Sequence, residues 1–213
     1  MQAIELALWS DRLVLASLAV LSACLLTYAA SAALAVRSTG RAQVPVLVGG
    51  PEALLEGSAP PTAEARAQLL RSAGTWLLAS GAVLLVAAVV ARGLAAGRVP
   101  WGNMYEFGLT ASAAVAVTFL GVRRGRQVDA VAPWVVALVL VLLGVSVTSL
   151  YTPVDELVPV LDSTWLVIHV AAAITAGGVF TVGAVATALF LVRHRQERRG
   201  TTHAPRGRYA ASL

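Results

Sequence analysis

Residues 131–150 read VAPWVVALVLVLLGVSVTSL, and this stretch decides the fold. It contains no Asp, Glu, Lys, Arg or His. At a rise of about 1.5 Å per residue, a helix of this length spans roughly 30 Å, the hydrocarbon thickness of a bilayer. Four more apolar runs flank it: 13–36, 74–91, about 103–122 and 165–192. The last is 28 residues long, so it tilts or continues beyond the membrane. Of the 213 residues, 58% are hydrophobic and 13% charged, against roughly a quarter charged in a soluble domain. Aromatics make up only 6%, so the apolar excess is Ala, Val and Leu. Mean hydropathy is +0.77. These values exclude an ordinary soluble globule and a disordered chain. The expectation is an all-α, polytopic membrane protein with about five transmembrane helices.

Charge gives orientation. All sixteen basic side chains are arginine. With five spans, thirteen of them fall on one side: Arg37, Arg41, Arg66 and Arg71 in 37–73, Arg123, Arg124 and Arg126 in 123–130, and six in the tail from Arg193. Only Arg12, Arg92 and Arg98 fall on the other side. Basic loops stay inside. The N-terminus is therefore expected outside and the C-terminus in the cytoplasm, in a bacterial plasma membrane. The second outer loop, with Asp155, Glu156 and Asp162 and no base, agrees. The start, MQAIELALWSDR, is acidic and has no small-residue cleavage site, so it reads as a retained helix and not a signal peptide.

The expected organisation has four parts. Residues 1–36 are the outer N-terminus and first span. Residues 37–73 form a cytoplasmic loop with a short helix after Pro61. Residues 74–193 form a four-helix core with outer loops 92–102 and 151–163. Residues 194–213 are a basic tail or linker. No internal repeat is visible. The net charge of +5 belongs to loops on one membrane face, and no basic stripe interleaves with aromatics, so nucleic acid is not an expected partner. Membrane lipid is. A single cysteine, Cys24, forms neither an intrachain disulfide nor a Cys-x-x-Cys pair, and it reads as packing.

Two stretches stand out chemically. In GRVPWGNMYEFG, 97–108, Asn103 is placed to cap a helix and Glu106 follows three residues later, as in a capping box. Trp101 and Tyr105 suit the interfacial belt. Capping explains most of this motif, yet an ionisable Glu106 at the membrane also defaults to function. In 157–178, LVPVLDSTWLVIHVAAAITAGG, Asp162 or Ser163 suits a cap, and His169 follows Trp165 by four residues on one face. His169 lies roughly 8 Å below the helix start. Two readings stand side by side: an interhelical hydrogen-bond partner, or a haem-iron ligand. Ala173, Ala176, Gly177 and Phe180 follow on the same face; the small residues among them leave room for a flat ligand or for close helix packing. His194 and His203 sit in the basic tail and read as solvated. No hydrolase triad, P-loop or zinc motif is present, and no charged pair lies within one span, which weighs against a proton-coupled transporter.

VPWGNMYEF at 99–107 followed by LDSTWLVIHV at 161–170 resembles the CcsA/CcsB/ResC family of System II cytochrome c biogenesis, over roughly residues 70–195. The resemblance implies haem held at the outer membrane face for attachment to apocytochrome c. It implies a ResB-type partner subunit, and an external haem ligand at the His of Trp-x-x-x-His, here His169. Haem b would be held or transported without a covalent bond. Trp165, Trp101 and Tyr105 would line the outer mouth, and Glu106 would cap its helix or hydrogen-bond to His169. The family continues with further spans that carry a tryptophan-rich WGxxWxWD segment, a second external His and a His within the membrane, none of which these 213 residues contain. The chain is therefore expected to be the N-terminal part of such a protein, one component of a cytochrome c synthase and not an enzyme by itself. The rival readings are a permease or haem-export subunit and a non-catalytic helical scaffold.

Overall fold

The computed structural model describes residues 2–41, 61–123, 130–154 and 163–202. Among them are five α-helices and no strand: α1 (Gln2–Arg41), α2 (Pro61–Ala96), α3 (Met104–Val122), α4 (Ala132–Ser149) and α5 (Thr164–Thr202). Each is long and apolar enough to cross a membrane. The chain is a multi-pass membrane protein. Most of the 37–73 loop, the turn arginines Arg124 and Arg126, the acidic residues Asp155, Glu156 and Asp162, and the tail from His203 onward lie outside the described residues.

The helices outrun the apolar stretches that announce them. Residues after Pro61 are not a separate short helix but the first turns of a continuous α2. α2 runs on to Ala96, which shortens the following connection to 97–103. At the other end of the chain, α5 continues through 194–202, where a linker was expected. An α-helix satisfies its own backbone, so it can leave the apolar zone without losing hydrogen bonds.

α1 and α2 form a tight antiparallel hairpin with a regular seam. On α1 the fully buried positions are Ser10, Val14, Ser17, Leu21, Cys24, Tyr28 and Ser31, spaced alternately four and three apart. This is heptad spacing, in which small side chains alternate with large ones. The facing seam of α2 runs through Gly74, Leu78, Gly81, Leu85, Ala88 and Arg92. The large residues of α1 sit on the glycines of α2: a Cβ at Gly81 would come within 2.7 Å of Leu21, and one at Gly74 within 3.1 Å of Tyr28. Small residues bring the backbones close enough for side chain to carbonyl bonds. Ser10 donates to the Ala88 carbonyl at 2.9 Å, and the Cys24 thiol donates to the Gly74 carbonyl at 3.1 Å. Cys24 is thus a seam residue. The sequence shows no repeat of residue identity here, only a repeat of size.

α3 lies at the centre of the rest, against α2, α4 and α5, while α4 also touches α1. α5 is the most peripheral helix. Its inward stripe is Ile174, Gly178 and Val182. Gly178 is there for contact: a Cβ on it would stand 3.1 Å from the backbone carbonyl of Ala114 in α3.

Candidate functional site

The connection between α2 and α3 is built locally. α2 ends at Ala96, and Gly97 takes a left-handed φ of 62°. The Arg98 N–H returns to the Gly93 carbonyl and the Gly97 N–H to the Leu94 carbonyl, at 3.2 and 3.3 Å. This six-to-one and five-to-two pair is a Schellman stop, and the glycine removes its steric cost. Asn103, extended at φ −139°, then caps α3: its Oδ1 accepts the Glu106 N–H at 2.9 Å. The Glu106 carboxylate reaches back as a capping box requires, though to the Gly102 N–H, at 2.9 Å. Thr110 Oγ donates to the Pro100 carbonyl, which ties the connection down over the first turn.

Glu106 is fully buried in this structure and accepts from two arginines. Arg98 Nη1 lies 2.7 Å from Oε2, and Arg92 Nε lies 3.4 Å from Oε1. Arg92, 1% exposed, also pairs with Asp11 of α1 at 3.5 Å. Its Nη2 donates to the Thr152 carbonyl beyond α4, and its guanidinium sits 4.7 Å from the centre of the Tyr105 ring. Tyr105 meets Tyr151 edge to face at 5.1 Å. Both tyrosine hydroxyls donate to Asp11, at 3.5 Å from Tyr105 and 2.9 Å from Tyr151. Two carboxylates and two guanidiniums thus balance at one end of the bundle, which is how ionised groups survive there. The Asp11 hydrogen bond, partial burial and the Asp11 charge push the Tyr151 phenol above its ordinary value, against a smaller opposing effect of Arg92. Beside this cluster a cleft of about 470 Å³ opens between the start of α1, the end of α2 and residues 151–154. Ala7, Leu8, Ala95 and Pro153 wall it above the Asp11, Arg92 and Tyr151 floor.

The structure divides the residues singled out from the sequence. Tyr105 and Glu106 lie buried inside the ionic cluster, with Trp101 half-buried in the connection above it. Tyr105 therefore packs under Arg92 and does not line an open mouth. Trp165 and His169 lie on α5, and both are exposed, Trp165 by 80%. His169 stands nine positions before Gly178, and Trp165 nine before Ile174. Nine positions is roughly half a turn of rotation, so both face away from the stripe that meets α3. No contact joins Glu106 to His169; the described partners of the carboxylate are Arg92, Arg98 and Gly102. The small residues below His169 are exposed as well: a Cβ at Gly177 meets nothing within 4 Å, whereas its neighbour Gly178 holds the helix contact. Ala173, Ala176 and Gly177 thus lie off the stripe that meets α3. His194 is part of α5 and not of a tail; its ring stacks on Phe190 and its Nε2 accepts from Arg198 at 3.0 Å. Among the described residues no group of three or more His, Cys, Asp or Glu is placed to hold a metal ion.

Asp11, Arg92, Arg98 and Tyr151 were not legible as partners. Each flanks an apolar run, where a charged or tyrosine side chain reads as an interfacial anchor. Their pairing crosses as many as 140 residues of chain.

A protein-family model described as cytochrome C assembly protein matches residues 101–212, more than half of the chain. The chain belongs to the cytochrome c assembly protein family. Membership assigns it to cytochrome c assembly and implies the handling of haem. No curated protein and no solved structure gives a significant match. The family match begins at Trp101, so it takes in the capped start of α3, then α4 and α5 with Trp165 and His169. The α1–α2 hairpin with Asp11 and Arg92, and Arg98 just after it, lie outside it.

Proposed function

We propose that this chain holds haem at the outer membrane face for attachment to apocytochrome c, as the CcsA-type component of a System II synthase. The observation that carries the reading is the exposed imidazole of His169, with Trp165 one turn away on the same face, inside the segment matched by the cytochrome c assembly family. An accessible neutral imidazole is a good ligand for haem iron, and Trp165 offers a flat apolar surface beside it. The exposed Ala173, Ala176 and Gly177 leave a shallow face on which a planar macrocycle can lie.

Arginine distribution supports an outer N-terminus, and with five spans this puts the start of α5 at the outer face. Attachment needs two thiols to add to the haem vinyl groups. The single cysteine here is buried in the α1–α2 seam, so both thiols belong to the apocytochrome. His169 faces away from α3, so a haem on it would need its other side covered from outside α1–α4. A ResB-type subunit is the partner proposed for that role. The cargo is proposed to be haem b, held through the iron without a covalent bond.

The test is an absorbance spectrum of the detergent-purified chain, alone and co-expressed with a ResB-type subunit, beside His169→Ala. A Soret band that is lost or shifted in the variant, at equal protein yield, is expected. An identical band in both removes His169 as the ligand.

A further inference from the structure

We propose that Arg92 is a positioning residue, through which the α1–α2 hairpin sets the place of residues 151–154, which precede α5 in the chain. Its consequence for haem rests on the function proposed above; the mechanical claim does not. The Arg92 side chain contacts α1, α3 and the segment after α4 together: Asp11 at 3.5 Å, Glu106 at 3.4 Å, the Tyr105 ring, and the Thr152 carbonyl. It does so from the last position of the α2 seam, where the heptad pattern that places Ala88 and Leu85 calls for an apolar side chain. The hairpin lies outside the family match, whereas Tyr105, Glu106 and Thr152 lie inside it. Arg92 therefore joins the part of the chain that the family model does not cover to the part it does.

Its geometry suits a fixing role. The planar guanidinium sends donors in fixed directions, so one side chain can satisfy two carboxylates and a carbonyl at once; an ammonium cannot hold the same three directions. Residues 151–154 belong to no helix. The described contacts that hold them to the bundle include the Arg92 bond to Thr152, the Tyr151 bond to Asp11 and the Tyr151 edge contact with Tyr105. Two of these depend on groups that Arg92 itself neutralises or covers. Arg98 also pairs with Glu106, and with the Val99 carbonyl.

The experiment places a cysteine at Thr152 in a Cys24→Ala background of the full chain. The Thr152 carbonyl that accepts from Arg92 is backbone, so this substitution leaves the bond in place. Labelling by a water-soluble maleimide is followed in detergent, and the Soret band per chain is read on the same samples. Arg92→Gln is expected to speed labelling about tenfold, the factor of a lost charge-assisted hydrogen bond. Arg92→Lys should fall between, and Gly178→Leu, which disturbs the α3–α5 contact and none of the Arg92 partners, should stay near the parent rate. Arg92→Lys decides the matter if Arg92→Gln does not accumulate. Unchanged labelling in Arg92→Gln and Arg92→Lys, or an equal rise in Gly178→Leu, overturns the positioning role. Faster labelling with a shifted or weakened Soret band supports both parts, and faster labelling with an unaltered band overturns the consequence for haem. If the parent binds no haem, the proposed function falls, and the labelling rates still decide whether Arg92 fixes the segment.

Discussion

Arg92 near the end of α2 and Glu106 in the first turn of α3 face each other at 3.4 Å, with side chains 1% and 0% exposed. They are fourteen residues apart and joined by a connection that reverses the chain. A pair this buried is stabilising only while all its partners remain, because removing one charge strands the others in a poor solvent for ions. Glu106→Gln is therefore expected to leave Arg92 and Arg98 under-compensated and to cost about 3 kcal/mol. Thermal or denaturant unfolding in detergent measures it. A loss within about 0.5 kcal/mol, the scale of an exposed ion pair, would show that water reaches the cluster.

The neighbouring glycines of α5 should respond differently. Gly178→Leu drives a side chain into the Ala114 backbone and should destabilise the fold by about 2 kcal/mol, as overpacking does. Gly177→Leu points into open space and should leave stability unchanged. If the His169 face holds haem, Gly177→Leu should lower the Soret absorbance per chain while the yield is preserved. The two variants, compared for unfolding and for the Soret band, separate packing from binding.

Cys24 should be inert. It is fully buried and donates to the Gly74 carbonyl, so maleimide should label it only after denaturation. Cys24→Ser should be accommodated within about 1 kcal/mol, since a hydroxyl can make the same bond. Ser10, Ser17 and Ser31 already occupy equivalent seam positions. Cys24→Leu should part the hairpin, read as faster proteolysis between α1 and α2.

Tyr151 gives a pH signature. Its phenol is held neutral above the ordinary tyrosine value by the Asp11 bond, by partial burial and by the Asp11 charge. A raised folded pKa contributes stability fully below the unfolded value of about 10, and that contribution is lost as pH rises through the folded value. Parent and Tyr151→Phe should thus differ in stability by a constant amount from pH 7 to about 10, and the difference should shrink above that. A difference that already narrows near pH 8 would show that the hydrogen bond to Asp11 is not the source.

Much of the architecture could be read directly. An uncharged run such as 131–150 can meet the bilayer only as a helix, since nothing else satisfies its backbone there. The capped start of α3 was equally plain, because Asn103 and Glu106 act within a single turn. The family resemblance of VPWGNMYEF and LDSTWLVIHV agrees with the match over 101–212. The heptad seam is not marked by an apolar stripe, because its small positions are Ser, Cys, Gly and Ala and the residues on the outer faces are apolar as well. In a membrane both faces of a helix are apolar, so periodicity does not mark the inward one.

The sequence by itself therefore determined the number of helices, the apolar span within each and the local cap before α3, since each follows from apolar length or from groups a few residues apart. Tertiary structure alone decided that Tyr105 and Glu106 turn inward to Arg92 while Trp165 and His169 turn outward on α5. It also decided that Asp11, Arg92, Glu106 and the Thr152 carbonyl meet. Which side of an apolar helix faces a neighbour depends on close packing between segments far apart in the chain, as Gly178 against Ala114 and Leu21 against Gly81 show. Buried charges then go where the packing brings an opposite charge to meet them.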